Sequence, residues 1–101
     1  MAKKILDTVH DTAKGLHKAG VMDTKTMHEF DALCLTPVKN LRAVQIKRLR
    51  KRNKASQAVF AAYLNTSRST VQKWEQGQKK PNGPSLKLLN LVQDKGLEAL
   101  A

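Results

Sequence analysis

The stretch "SQAVFAAYLNTSRSTVQKWEQG" (residues 56–77) contains two helical patterns separated by a short turn. We predict helices over Gln57–Leu64 and Arg68–Gln76, because apolar residues recur in both at helical spacing. Ser56 and Ser67 precede them and can accept hydrogen bonds from the first free backbone amides. Gly77 suits the left-handed position that follows a helix. Two short helices joined by a turn of this length predict a helix-turn-helix.

The second of these helices has the features of a helix that reads DNA. Its N-terminal end carries small polar and cationic side chains, which suits insertion into a major groove. Arg68 can donate two hydrogen bonds to the O6 and N7 atoms of guanine. Ser69 and Thr70 can bond base edges or contact a thymine methyl group. Lys73, one turn further on, can reach a base or a phosphate.

The same helix ends with an apolar and an acidic residue side by side. Trp74 is the one tryptophan of the chain. We expect it to pack in the core and to support the reading helix from behind. Glu75 is the one acidic residue near this basic surface. We expect it to pair with a basic side chain of residues 38–53, such as Arg48 or Arg52, and to hold the two helices in register.

The charge of the chain points to an acidic partner. A length of 101 residues allows one small domain and an arm. The net charge of +11 suits nucleic acid, an anionic membrane or an acidic protein. A membrane is disfavoured, because no apolar run approaches the ~20 residues of a span. With no visible signal peptide and a single cysteine, Cys34, the chain is expected in the cytoplasm.

The charges are unevenly distributed. Residues 1–31 carry five basic and five acidic side chains, residues 32–74 carry ten basic and no acidic ones, and residues 75–101 carry four basic and three acidic ones. A run of one sign repels itself and needs a counter-charge. A neutral N-terminal arm and a basic centre that binds a polyanion are therefore expected.

Flanking patterns extend this division. Residues 5–19 predict a helix, and residues 24–35 predict a second helix, although "ALCL" at residues 32–35 is also compatible with a short strand. The pair Thr36-Pro37 ends the second element, so we divide the chain into an arm, residues 1–37, and a DNA-binding domain, residues 38–101. Residues 38–53 are the next segment. Ser85 is expected to cap the last helix. The last helix and the tail after it contain more apolar residues than one helix face needs, which predicts a dimer interface of Leu89, Val92, Leu97 and Leu100.

The residues of the central stretch also match a known family. "ASQAVFAAYLNTSRSTVQKWEQGQKKPNG" (residues 55–83) closely resembles the Cro/C1-type, or XRE-like, helix-turn-helix family. "WEQGQKKPNGPSLKLLNLV" (residues 74–92) resembles the antitoxins of type II toxin–antitoxin pairs of the HigA kind, whose toxins are RelE-like ribonucleases. The resemblance implies an all-α, five-helix lambda-repressor-like domain. It also implies a protein that binds a double-stranded DNA operator and represses its own operon. Because one reading helix covers too few bases for useful specificity, we expect a homodimer on the DNA.

The resemblance assigns expected roles to individual residues. In the family, a glutamine at the position of Gln57 binds phosphate and braces the reading helix. Asn65 replaces the usual glycine of the turn, and asparagine tolerates the left-handed conformation. Base-reading positions match Arg68, Ser69, Thr70 and Lys73, and the loop along the DNA backbone matches Gln78, Lys79 and Lys80.

The arm is the candidate site for a partner protein. Its apolar residues could fold back on the domain, or they could dock on a RelE/HigB-like toxin as a helix in a groove. Such a toxin is basic, which suits the five acidic residues of the arm. The candidate partner-binding residues are Ile5, Val9, Leu16, Met27 and Phe30.

Two other functions are also compatible with this fold. One is a stand-alone XRE-family regulator without a toxin, and the other is an RNA-binding or bridging protein. We expect no enzyme, because no catalytic triad pattern and no phosphate-binding glycine loop occur. We expect no cofactor and no metal, because the three histidines and Cys34 match no ligand spacing.

Overall fold

The structure is a computed structural model that describes residues 2–101, with side chains from Ile5 onward. These residues form α-helices and one 3-10 helix, and they contain no strand. The all-α prediction is confirmed, and the short 3-10 helix stands where a fifth helix of the DNA-binding domain is expected. The elements are α1 (Ala2–Lys18), α2 (Thr24–Leu33), α3 (Ala43–Arg52), α4 (Gln57–Tyr63), α5 (Arg68–Glu75), α6 (Gly83–Lys95) and the 3-10 helix (Leu97–Leu100).

The chain forms two compact units, one ending at Pro37 and one comprising Val38–Ala101. In the first unit α1 and α2 pack on each other, and Ala13 and Met27 are buried. The side chain of Asp23 accepts a hydrogen bond from the backbone N–H of Thr26 and so caps α2. Hydrogen bonding to Thr26 holds the pKa of Asp23 below its ordinary value. Because α2 continues to Leu33, the helical alternative for this segment is correct.

The second unit has its own apolar core, built from α3 to the 3-10 helix. Within residues 38–53, the helix α3 begins at Ala43. The stretch before it is tied to α6, because the side-chain amide of Asn90 donates to the carbonyl of Lys39 and accepts from its N–H, each at 2.9 Å. Arg42 precedes the helix with an extended backbone, and Gln45 accepts a hydrogen bond from its N–H.

The helix-turn-helix forms as predicted. Ser56 and Ser67 each accept a hydrogen bond from a backbone amide of the helix that follows. Asn65 in the turn has φ = 55°, which is the left-handed conformation expected of it. Gly77 follows α5 with φ = 74°. The caps and the turn therefore hold α4 and α5 at a fixed angle with few residues.

Two expectations for the C-terminal part are wrong. Asn82, not Ser85, caps α6: its Oδ1 atom accepts from the N–H of Ser85 at 2.9 Å. The helix begins earlier than expected because Pro84 suits its first turn. The four apolar residues assigned to a dimer interface pack inside the domain. Leu89, Val92 and Leu97 are buried in its core, and the partly buried Leu100 packs against them.

Candidate nucleic-acid interface

The first turn of α5 presents a polar tip to solvent. Arg68 and Ser69 are exposed there, and Lys73 is exposed one turn later. Thr70 is half-buried, and its hydroxyl lies 2.8 Å from the Ser67 hydroxyl that caps the helix. The structure therefore leaves three of the four predicted reading side chains extended into solvent. The Thr70 hydroxyl takes part in the cap.

The opposite face of α5 lies in the core. Val71 has no exposed surface, and Trp74 is 3% exposed, so the prediction that Trp74 supports the reading helix from inside is confirmed. Burying a side chain of this size contributes on the order of 2–3 kcal/mol. The tip is thus carried by a helix that cannot turn about its axis without exposing its apolar face.

An ion pair joins α3 to the end of α5. Glu75 is paired with Arg50, whose Nε and Nη2 atoms donate to the two carboxylate oxygens at 2.7 and 2.9 Å. The predicted pairing of Glu75 with a basic side chain of residues 38–53 is confirmed, but the residues suggested for it, Arg48 and Arg52, are not the partners. Arg50 follows the core residue Leu49 at the side of α3 that meets α5, whereas Arg48 and Arg52 lie on the side near Gln93 of α6.

Burial and hydrogen bonding act against each other in this pair. The side chains of Arg50 and Glu75 are only 12% and 4% exposed. Burial alone would raise the pKa of Glu75, but hydrogen bonds from Arg50 and Gln57, with the charges of Arg50 and Lys47, hold it below its ordinary value. The hydrogen bond to Glu75 raises the pKa of Arg50 against the effect of burial. Both groups are therefore charged at neutral pH.

Gln57 extends the ion pair to α4. Its Nε2 atom donates to a carboxylate oxygen of Glu75 at 3.3 Å, so the first residue of α4 touches the last residue of α5. Gln57 is half-buried. Three helices, α3, α4 and α5, are thereby joined through one carboxylate at the C-terminal end of α5.

The loop after α5 collects further positive charge. Gln78, Lys79 and Lys80 are exposed, and the backbone amides of Gln78 and Lys79 donate to the carbonyl of Lys73. The two lysines lie with Arg42 around a cleft of about 360 Å³. Arg42 was not among the predicted DNA-binding residues, although it lies within the run that contains no acidic residue, which was a usable signal.

The candidate partner-binding residues of the arm fall into different environments. Val9 and Leu16 on α1 and Phe30 on α2 line one cleft of about 290 Å³. Ile5 is 67% exposed and is not part of that cleft, and Met27 is buried. The structure therefore brings three of the five residues together, and Met27 contributes to the interior of the arm.

Two further findings concern the described residues 2–101. No three histidine, cysteine, aspartate or glutamate side chains lie close enough there to hold a metal ion. None of the helices in that range combines the length and apolar character needed to cross a membrane.

Comparisons with known proteins agree with this geometry. A helix-turn-helix family model matches residues 46–92, from α3 to α6. The chain is similar to Antitoxin HigA-2 of Vibrio cholerae serotype O1, with 39% identity over 77 residues that cover 76% of this chain and 70% of the relative. The aligned length extends beyond the region of the family model.

Proposed function

Because the chain belongs to the Cro/C1-type (XRE-like) helix-turn-helix family and to its HigA-type antitoxins, we propose that it is a sequence-specific DNA-binding repressor. In this proposal it represses its own operon and neutralises a RelE/HigB-like ribonuclease toxin. The observation that carries the DNA-binding part is the exposed tip of α5, with Arg68 and Ser69, on a helix whose other face is buried.

The tip and the loop have different tasks in this proposal. Arg68, Ser69 and Lys73 read bases, and Thr70 offers its methyl group while its hydroxyl serves the cap. Gln57, Gln78, Lys79 and Lys80 contact phosphates. Base contacts set the sequence preference, whereas phosphate contacts set the register and the affinity for any duplex.

Substitutions at the two places test this division. Replacing Arg68 with alanine removes a bidentate donor to guanine, so it is expected to cost roughly 1–3 kcal/mol on the operator and little on random DNA. Lys79→Ala is the matched control. It is expected to weaken both duplexes equally and to reduce the slope of log affinity against log salt by about one. Titrations by fluorescence anisotropy measure both effects. An Arg68→Ala protein that binds its operator as tightly as the parent contradicts the placement of the reading helix.

We further propose that two chains bind one operator. A single reading helix contacts few bases, so proteins of this type read symmetric sites with two domains about one helical turn apart. The dimer contact is not supplied by Leu89, Val92 and Leu97, which the domain core already uses. Light scattering on a palindromic duplex measures the stoichiometry, and one chain per palindrome would refute the homodimer.

The toxin site is assigned to the arm. Val9, Leu16 and Phe30 form an apolar cleft, with Ile5 exposed on the same helix and Met27 supporting it from inside. Residues 1–31 contain five of the eight acidic residues of the chain, which suits a basic ribonuclease. Apolar anchors surrounded by complementary charge are typical of protein interfaces.

A matched pair of variants tests the toxin site. Val9→Glu places a charge in the cleft, so loss of toxin binding and of protection from the toxin is expected, with unchanged operator binding. Val21→Glu makes the same chemical change at an exposed position that does not line the cleft, and it is expected to behave like the parent. Pull-down with the tagged toxin is the readout. If Val9→Glu bound the toxin as well as the parent does, the toxin site would not be at this cleft.

A further inference from the structure

A second basic surface lies on α3, apart from the residues assigned to DNA reading. Its members are the exposed side chains of Lys47, Arg48, Lys51 and Arg52, which we call the α3 basic face. Their spacing of one and four residues places them on the side of the helix opposite the buried Ile46 and Leu49. Ion pairs among residues 5–101 involve none of the four.

The two edges of this face touch different parts of the domain. At one edge, the charge of Lys47 acts on Glu75, the carboxylate that also holds Gln57. At the other edge, Arg48 and Arg52 line a cleft of about 160 Å³ together with Gln45 and Gln93. The face therefore continues from the proposed phosphate contact at Gln57 toward α6.

The face begins at the end of α5 that is remote from the reading tip. Arg68 is the first and Glu75 the last residue of α5, so a distance of about 10 Å along the helix axis separates them. The α3 basic face begins beside Glu75 and extends to Gln93. A duplex read by the tip would meet this face outside the bases that α5 contacts.

The chemistry of the face fits a polyanion better than a protein. Residues 32–74 include no carboxylate. Val44, 58% exposed, is the one large apolar side chain that α3 presents to solvent, whereas protein interfaces use buried apolar anchors. One guanidinium group can donate two parallel hydrogen bonds to two oxygens of a phosphate. The side-chain amides of Gln45 and Gln93 offer further N–H donors in the cleft that Arg48 and Arg52 line.

We propose that the α3 basic face binds phosphates of the duplex that flanks the operator half-site, without regard to sequence. This inference rests on the proposed DNA-binding function. It extends the footprint of each domain beyond the bases that the reading helix reaches, and it assigns to flanking DNA a share of the affinity that depends strongly on salt.

The test compares two duplexes and two double variants of the full-length chain. One duplex is the bare operator, and the other carries about one helical turn of arbitrary sequence at each end. Arg48→Gln/Arg52→Gln removes two charges from the face. Lys87→Gln/Lys95→Gln removes two exposed charges from α6 and is the matched control. Circular dichroism verifies that both variants are folded.

On the flanked duplex, the α3 variant is expected to lose affinity about tenfold or more at low salt. Its slope of log affinity against log salt should fall by about two, since each neutralised phosphate contributes ~0.9. On the bare operator both variants should match the parent within a few-fold, and the α6 control should keep the parental slope on both duplexes.

Three results would overturn the inference. If the α3 variant kept the parent's slope of log affinity against log salt on both duplexes, the face would bind no phosphate. Equal losses on both duplexes would place the face inside the half-site. Parental DNA binding with weaker retention on immobilised polyglutamate would assign the face to an acidic protein. Failure of the parent itself to bind any duplex would instead refute the proposed function.

Discussion

At the scale of single residues, the carboxylate of Glu75 joins three helices. It receives Arg50 from α3 and Gln57 from α4, so three helices depend on it. The sequence predicted that Glu75 pairs with a basic residue of residues 38–53. It suggested Arg48 or Arg52 for this role. Several arginines of α3 have similar polar surroundings in the sequence. Only the packing of α3 against α5 selects the one beside the core.

The positions of Trp74 and Asn65, by contrast, were predictable from the sequence. The burial of a lone large aromatic residue on the apolar side of a short helix follows from helical spacing alone. The left-handed conformation of Asn65 was expected from the family resemblance, because Asn65 replaces the usual glycine of the turn and asparagine tolerates this conformation. Neither required knowledge of the tertiary packing.

The ion pair makes stability depend on acid. Because the pKa of Glu75 in the folded chain lies below its ordinary value of 4.5, its contribution is complete at neutral pH and is lost as the pH falls below about 4.5. Glu75→Gln leaves the Arg50 charge partly buried and is expected to cost ~3 kcal/mol at pH 7. Urea unfolding between pH 7 and pH 3 should show the gap between parent and variant narrowing toward low pH.

Asp94→Asn is the control for that series. Asp94 is exposed, so its replacement should leave the free energy of unfolding within about 0.5 kcal/mol of the parent. A constant gap between Glu75→Gln and the parent over the whole pH range would contradict the role assigned to the carboxylate.

At the scale of elements, helices were easier to predict than their first residues. α4 and α5 follow from serine caps and apolar spacing, and both form as predicted. The start of α6 was missed, and the sequence predicted no start for α3. The stretch before α3 is held on α6 by Asn90. This contact joins residues 51 positions apart and leaves no local pattern. α6 begins early because Asn82, not Ser85, meets the free amides.

The cap of α6 gives a direct test at this scale. Replacing Asn82 with alanine removes the side chain that accepts from the amide of Ser85, so it is expected to destabilise the domain by about 1 kcal/mol. Ser85→Ala is the matched control and should change the free energy of unfolding by no more than a few tenths of a kcal/mol. Thermal unfolding of both variants measures this difference. If Ser85→Ala destabilised the domain more than Asn82→Ala, Ser85 would be the cap of the helix, as the sequence predicted.

At the scale of the whole molecule, the net charge and the large apolar core both belong to residues 38–101. Residues 38–101 carry fourteen basic and three acidic side chains and hence the entire net charge of the chain. They also contain every residue of the large apolar core. Residues 1–37 are neutral and bury Ala13 and Met27 in a small unit of their own.

The charge map was visible in the sequence, but the use of the C-terminal apolar residues was not. Leu89 and Val92 looked like a surplus because α6 has apolar residues on more than one side, and Leu97 because it lies in the short apolar tail that follows. The core needs them because α6 packs against both α3 and the 3-10 helix. Whether an apolar face meets its own domain or a partner depends on contacts distant in sequence, which spacing does not encode.

In the proposed function, residues 38–101 read DNA without the help of the arm. This independence is tested by the affinity of a chain beginning at Val38 for a duplex that the full-length protein has selected from a random pool. We expect an affinity within a few-fold of the full-length value and the same dependence on salt, because the neutral arm adds no phosphate contacts. A truncated chain that is folded by circular dichroism but binds the selected duplex more than about tenfold more weakly would contradict it.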